Sequence, residues 1–295
     1  MQAIWMVLAS FLFASMGVCV KLASSNFNAF ELVMYRGLVG MVFMALIVQA
    51  RGSGLRTRFP GMQAWRSLVG VVSLVAWFYA IAYLPLATAV TLNYMSSIWV
   101  AAFLRGGALL YERVPLQARQ GLLMLTVLTG FGGVVLILRP TLEQNQLFAG
   151  LIGLLSGVLA ALAYIQVTAL GRVGEPEERT VFYFALGSAL GGGIGVIFTG
   201  LSEWNWQAAV WLLPIGVLAS IGQWCMTRAY SQGPTLVAAN LQYSGIVFAA
   251  LYSLLLFGDQ IPLLGWLGML VIVASGVAAT ALRTQALPNP PAEEH

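Results

Sequence analysis

Residues 80–94 read AIAYLPLATAVTLNY, and residues 229–243 read AYSQGPTLVAANLQY. A proline at the sixth position and a tyrosine at the last position fall in register between the two stretches. The correspondence continues downstream, where ERVP at 112–115 lies opposite DQIP at 259–262. The chain therefore contains two copies of one unit, and this duplication decides which folds it can adopt.

The composition indicates that the solvent around the protein is lipid. Of the 295 residues, 60% are hydrophobic and only 8% are charged, which does not suit a surface facing water. A helix that crosses about 30 Å of hydrocarbon needs about 20 mostly apolar residues. Ten runs of that kind predict an all-α polytopic membrane protein, with spans at 3–22, 30–50, 66–84, 87–109, 117–138, 149–170, 180–200, 209–230, 234–256 and 262–282.

The duplication divides these ten spans into two repeats of five. An odd number of spans per repeat forces the second copy to insert upside down, and such inverted repeats place a binding site near the membrane midplane. We expect a first repeat at 1–140, a second repeat at 141–287, and a disordered cytoplasmic tail at 288–295, which is rich in proline and acidic residues.

The distribution of basic residues predicts the orientation. If the N-terminus is cytoplasmic, only Lys21, Arg36 and Arg139 fall on the outer side, so both termini should be cytoplasmic in the inner membrane. The basic residues on the cytoplasmic side are Arg51, Arg56, Arg58, Arg66, Arg105, Arg113, Arg119, Arg172, Arg179, Arg228 and Arg283.

Several functional classes lack the residues they need. The histidine count is one, at His295, no acidic residue lies deep in a predicted span, and no metal-ligand cluster or phosphate-binding loop is present. We therefore predict neither an enzyme nor a cofactor or metal site, and the few dispersed basic residues do not suit nucleic-acid binding. The expected partners are a small-molecule substrate and the lipid bilayer, and a homodimer is compatible with the sequence. Cys19 and Cys225 lie in apolar runs and are expected to be unpaired.

Two of the cations close to or within predicted spans, Lys21 and Arg36, are candidates for a functional role. Charge inside a membrane is costly and is usually retained for a function. Lys21 and Arg36 could each reach the outer half of a cavity, where they would suit a carboxylate-bearing solute. Alternatively, Lys21 extends to the membrane interface, and Arg36 pairs with Glu31.

Polar side chains in spans 4, 8 and 9 recur at i, i+3 and i+4, which places them on shared helix faces. In lipid, each such group needs a partner that the solvent does not offer. Each residue taken alone also fits interhelical hydrogen bonding or core packing. The residues predicted to bind substrate are Lys21, Arg36, Trp77, Tyr79, Asn93, Tyr94, Ser97, Tyr164, Gln166, Gln223, Trp224, Asn240 and Tyr243.

Glycines in spans 6 and 7 recur every fourth residue. This small-xxx-small spacing lets helix backbones approach closely. It predicts packing or rocking surfaces at Gly153, Gly157, Gly187, Gly191 and Gly195.

The region 55–140 resembles the first repeat of EamA-type drug/metabolite transporters, through LRTRFPG, WRSLVGVVSLVAWFYAIAYLPLATA and the closing GVVLILRP. The ending FGDQIPLLGWLGMLVIVASGV is similar to the second repeat. The resemblance implies ten spans in two inverted halves, a central cavity, and export or exchange of amino acids, nucleotide-derived metabolites, vitamins or related polar solutes. The resemblance also supports a functional role for Arg36, because an arginine early in span 2 is frequent in that family. The sequence departs from many relatives at residues 93–95. A lipid-translocating or purely structural membrane protein is the alternative function.

Overall fold

The structure is a computed structural model that describes residues 2–50, 52, 54–100, 102–103, 125, 128–130, 132–133, 136, 144–232, 238–239 and 241–284. Every regular element in these ranges is helical. The helices are α1 (Gln2–Ala23), α2 (Ala29–Ala50), α3 (Pro60–Tyr83), α4 (Leu86–Tyr94), α5 (Gln144–Arg172), α6 (Glu177–Thr199), α7 (Trp206–Ala209), α8 (Leu212–Gln232), α9 (Ser244–Leu256) and α10 (Leu263–Thr284).

Six of the described helical segments are long and apolar enough to cross a membrane, and two shorter apolar segments follow them. This content makes the chain a multi-pass membrane protein. Most of the predicted fifth span at 117–138 and the predicted tail at 288–295 lie outside the described residues. The long segments are Ile4–Ala23, Ala29–Ala50, Pro60–Tyr83, Gln146–Arg172, Glu177–Thr199 and Trp206–Gln232, and the short ones are Ser244–Leu256 and Leu263–Ser275.

Within the fourth predicted span, α4 ends at Tyr94, and residues 96–100 are again helical after a single turn residue, Met95. The backbone N–H of Met95 still bonds to the Thr91 carbonyl at 3.1 Å, as in a helix, so the interruption is one residue long. In the second copy, Gln242 and Tyr243, which align with Asn93 and Tyr94, form a turn before α9.

The two interrupted segments cross at a glycine. A Cβ atom placed on Gly245 would lie 2.9 Å from the Tyr94 hydroxyl oxygen, so the Tyr94 ring occupies the space that a larger residue would need. Tyr94 and Tyr243 are both buried. The crossing therefore brings the two aligned tyrosine positions into the centre of the bundle.

The helices pack as a set of close pairs. The most extensive contacts join α2 with α6, α3 with α5, and α1 with α8, and α4 contacts both α5 and α9. Lys21 marks one end of this bundle, near the turn between α3 and α4, and Glu175 marks the opposite end, near the start of α3.

The close backbone approach predicted for the glycines of spans 6 and 7 is confirmed. Added Cβ atoms would lie 2.6 Å from Ser67 Cβ at Gly187, 2.7 Å from Val71 Cγ1 at Gly191 and 2.7 Å from the Leu92 carbonyl oxygen at Gly157. Gly195 packs against the Phe30 ring, and Gly153 against Ala80 and Leu92.

The α2–α6 contact can be tested by a matched pair of neighbouring glycines. A Cβ on Gly192 would lie 2.7 Å from the Phe30 carbonyl oxygen, which belongs to the backbone and cannot move aside. A Cβ on Gly193 would meet only Met34 Sδ at 3.8 Å, which is an ordinary contact. Gly192→Ala should destabilise the protein by about 1–3 kcal/mol through overpacking.

Gly193→Ala should leave stability equal or slightly higher, because alanine favours a helix over glycine by about 1 kcal/mol at either position. Thermal denaturation of the purified protein in detergent measures both variants. Equal denaturation midpoints for the two would contradict the close approach of α2 and α6.

Candidate functional site

Two buried arginines flank one aromatic ring in the middle of the bundle. Arg36 of α2 is 4% exposed, and its guanidinium carbon lies 5.0 Å from the centroid of Phe184 on α6. Arg66 of α3 is 2% exposed, and its guanidinium carbon lies 4.0 Å from the same centroid. Arg36 also donates to the Ser188 hydroxyl at 3.3 Å. Such cation–π contacts are worth about 2 kcal/mol or more when they are shielded from water.

A glycine provides the space for this arrangement. A Cβ on Gly70, one turn after Arg66, would overlap Arg66 Nη1 and lie 2.9 Å from Phe184 Cε2. The absence of a side chain at this position lets the Arg66 guanidinium lie flat against the ring.

Arg66 corrects the sequence interpretation, which placed it at the cytoplasmic surface. Hydropathy starts span 3 at residue 66, whereas α3 starts at Pro60, so Arg66 lies well inside the helix. Proline is favoured in the first turn of a helix, and Pro60 was the signal that could have located this start. Phe184 and Gly70 were missed as well, because an isolated phenylalanine or glycine in an apolar run carries no functional signal.

The arginines line a central cavity of about 50 Å³. In the part of the chain that the structure describes, seven helices contribute to its wall, and no acidic residue is among the lining side chains. The lining residues are Phe13, Met16, Arg36, Arg66, Gly70, Ser73, Leu74, Trp77, Asn93, Tyr94, Ala160, Ala163, Tyr164, Phe184, Gln223 and Met226.

The cavity wall carries hydrogen-bond donors without acceptors. Within the described structure, no carboxylate lies within 4.0 Å of the Arg36 or Arg66 guanidinium. Buried polar groups in proteins are normally hydrogen-bonded, so a cluster of free donors favours a ligand rich in acceptor oxygens. The unpartnered buried donor atoms of the wall are Arg36 Nε, Arg66 Nε and Nη1, Trp77 Nε1, Tyr94 Oη and Gln223 Nε2.

Glu31 is not the partner of Arg36. Its carboxylate accepts the backbone N–H of Asn28 at 2.8 Å, the N–H of Ser202 at 2.8 Å and the Ser202 hydroxyl at 2.6 Å. The Asn28 side chain in turn accepts the Glu31 N–H at 3.1 Å, which completes a capping box at the start of α2. Glu31 thus stabilises a helix end, and Arg36 is left to the cavity.

Other polar contacts fix the cavity wall. The Asn93 amide donates to the Ser156 hydroxyl at 2.9 Å, and the Ser73 hydroxyl donates to the Ser156 carbonyl at 2.8 Å. The Gln242 amide donates to the Tyr164 hydroxyl at 3.3 Å, and Tyr230 donates to Gln242 at 3.1 Å. These bonds orient the Asn93 and Tyr164 side chains that face the cavity.

Lys21 lies away from the cavity, contrary to one sequence interpretation. Its ammonium donates to the Leu84 carbonyl at 2.7 Å and lies 4.0 Å from the Asp259 carboxylate. Asp259 also accepts the Ser253 hydroxyl at 2.9 Å. Lys21 therefore joins α1 to the α3–α4 turn and to the loop after α9, and this contact closes one end of the bundle.

The opposite end is held by a second group of contacts. The Gln63 amide donates to the Glu175 carboxylate at 3.3 Å, and both side chains are buried. Arg179 Nε donates to the Gly54 carbonyl at 2.7 Å. Polar contacts thus join helices and loops at both ends of the bundle.

Of the predicted site residues, the structure brings Arg36, Trp77, Asn93, Tyr94, Tyr164 and Gln223 to the cavity. The other described residues lie away from the cavity. Periodicity groups residues on one helix face, but it does not show which neighbouring helix covers that face. Asn240 lies outside the described residues. Lys21 lies at the end of the bundle, and Tyr79 lies in an apolar groove outside it. Ser97 donates to the Ala239 carbonyl, and Trp224 packs on Trp5. Tyr243 is in the core, and Gln166 is half-buried.

The ring beneath the two guanidiniums can be tested by a pair of identical substitutions. Phe184→Leu removes the aromatic face from both arginines, whereas Phe182→Leu makes the same change at a half-buried position on the same helix. We expect Phe184→Leu to destabilise the protein by about 2 kcal/mol more than Phe182→Leu, because desolvated cation–π contacts are lost.

Chemical or thermal denaturation in detergent gives the comparison. Equal losses of stability in the two variants would mean that Phe184 contributes only apolar packing.

These features define a multi-pass helical membrane protein with a positively charged cavity between its helices. A family model described as the EamA-like transporter family matches residues 1–139 and again residues 147–280. The chain belongs to the EamA-like transporter family, and it is a transporter rather than an enzyme.

Similar proteins cover nearly the whole chain. The pseudopaline exporter CntI of Pseudomonas aeruginosa is 33% identical over 91% of this chain and 92% of its own length. The riboflavin transporter of Rhizobium johnstonii is 25% identical over 93% of this chain and 89% of its own. A solved crystal structure shares the fold with a TM-score of 0.65 at 17% identity, covering 97% of this chain and 96% of its own.

Proposed function

We propose that this protein is a secondary transporter that moves a small polar organic metabolite, an amino acid or a related carboxylate-bearing or aromatic solute, across the inner membrane as an exporter or exchanger. The observation that carries the proposal is the cavity in which Arg36, Arg66, Trp77 and Gln223 present donors without acceptors. A carboxylate supplies acceptor oxygens and negative charge together, and guanidinium groups bind it through paired hydrogen bonds. Trp77 and Phe184 offer apolar or aromatic walls for the remainder of the solute.

The similar proteins support transport of an organic solute. The names of two of them state that one exports pseudopaline and the other transports riboflavin. Export by a protein that is similar over nearly its entire length favours the same direction here.

Two inverted halves, at 1–140 and 141–287, account for the helix pairs. The family model matches twice, once in each half. In such an arrangement α1, α3 and α4 of the first half correspond to α5, α8 and α9 of the second. A contact between α1 and α8 should then have a counterpart between α5 and α3, and a contact between α1 and α9 should have one between α5 and α4. All four pairs pack together. We propose ten spans with both termini in the cytoplasm, as the distribution of arginine predicts.

Alternating access follows from the size of the cavity. Sites for organic ligands usually measure about 300–1,000 Å³, whereas about 50 Å³ accommodates only a few waters. The solute therefore enters through an opened conformation. Opening one end requires Lys21 to leave the Leu84 carbonyl, and opening the other requires Gln63 to leave Glu175. Movement of one half against the other exposes the site to each side in turn.

Counterflow in proteoliposomes tests the proposal directly. Vesicles loaded with unlabelled amino acids, organic acids, nucleosides or cofactors are assayed for uptake of the matching radiolabelled solute. We expect saturable flux for at least one carboxylate-bearing solute. Arg36→Gln should lower that flux about tenfold or more, because a buried charged hydrogen bond to the solute is lost.

Asn93→Leu should lower flux as well, because its amide lines the cavity and anchors to Ser156. Arg172→Gln is the control, since Arg172 is exposed at the end of α5 and removal of its charge should leave flux unchanged. Absence of flux for every solute with folded wild-type protein would contradict small-solute transport and favour a lipid-translocating or structural role.

A further inference from the structure

We propose that the transported solute carries two separate carboxylates, one bound by Arg36 and the other by Arg66. The inference rests on the proposed transport function and names the substrate class of the same cavity. It follows from the charge of the cavity, from the way the two guanidiniums are held, and from the distribution of the remaining donors.

The first argument is charge. Each ion removed from water costs several kcal/mol unless an opposite charge compensates it. Arg36 and Arg66 are both buried, and among the described residues no acidic side chain lines the cavity with them. A solute with one carboxylate would leave one positive charge uncompensated in the closed bundle. A solute with two carboxylates neutralises both guanidiniums.

The second argument is geometry. Both guanidinium carbons approach the same Phe184 centroid, at 5.0 and 4.0 Å, so their separation cannot exceed the sum of these distances. Phe184 and the gap at Gly70 fix Arg66, and the Ser188 hydroxyl helps to fix Arg36. Two planar forks held a short distance apart suit two carboxylates on a short carbon backbone, since arginine binds a carboxylate through two parallel hydrogen bonds.

The third argument separates two carboxylates from one compact dianion such as phosphate. Other free donors include Trp77 Nε1 on α3 and Gln223 Nε2 on α8, so donors come from different walls of the cavity. A compact anion held by the two arginines would leave these donors unpaired at a cost of about 1–3 kcal/mol each. A longer solute with acceptor oxygens at both ends reaches more of them.

The test compares each diacid with its own half-amide. The series of straight-chain diacids from malonate to adipate and the corresponding half-amides compete with the labelled solute identified by counterflow, and the same compounds are tested for thermal stabilisation of the detergent-solubilised protein. The members of each pair have the same skeleton and nearly the same volume and differ by one negative charge. We expect the best diacid to bind about tenfold or more tightly than its half-amide.

Two variants test whether Arg66 is responsible for the preference for the diacid over its half-amide. Arg66→Gln should remove the preference for the diacid, since the diacid and the half-amide then meet only one cation in the cavity. Gly70→Ala keeps the arginine but displaces its guanidinium, so it should reduce the same preference. Gly61→Ala is its control on α3, because a Cβ there meets nothing within 4 Å.

The outcomes are distinct. Equal binding of every diacid and its half-amide by the wild-type protein would overturn the two-carboxylate inference while leaving transport intact. Inorganic phosphate that competes as well as the best diacid would also overturn it, in favour of a compact dianion. Absence of counterflow for all solutes together with a diacid-specific stabilisation would contradict the transport function alone.

Discussion

The structure is organised around two guanidinium groups that are held inside a lipid-embedded bundle without an acidic partner. Lipid supplies neither hydrogen bonds nor counter-ions, so the protein itself must accommodate this charge. Phe184 offers its ring face to both groups, Ser188 accepts a hydrogen bond from one, and Gly70 leaves the space that the other occupies. The positions of α2, α3 and α6 relative to one another follow from these contacts.

Both proposed halves contribute to the cavity, and they contribute different chemistry. The first half supplies both cations on α2 and α3. The second half supplies the Phe184 ring on α6, which contacts both guanidinium groups. It also supplies the Tyr164 hydroxyl on α5 and the Gln223 amide on α8. Neither proposed half contains the complete set, so the cavity is lined by residues of both.

Close backbone contacts and polar contacts at the ends of the bundle have different roles in such a movement. Along the helices, glycines such as Gly157 and Gly192 bring backbones so close that the packed pairs can move only as units. At the ends, the structure has polar contacts, among them Lys21 to Leu84 on one side and Gln63 to Glu175 on the other. A few hydrogen bonds worth about 1 kcal/mol each are easier to exchange than an extended packed surface. The opening that we propose would therefore exchange contacts at the ends rather than separate the packed helix pairs.

The sequence by itself determined the membrane environment, the helical class, the duplication and the family, because these follow from composition, from the length of apolar runs and from motifs that are local in the chain. It also selected Arg36 as a candidate site residue, since charge within an apolar run is conspicuous, and Arg36 lines the cavity. Only the tertiary structure placed Arg66 in the cavity, committed Glu31 to a helix cap and moved Lys21 to the end of the bundle. The physical reason is that a side chain acquires its partners from helices distant in sequence, and neither hydropathy nor periodicity records which of those helices lies against it.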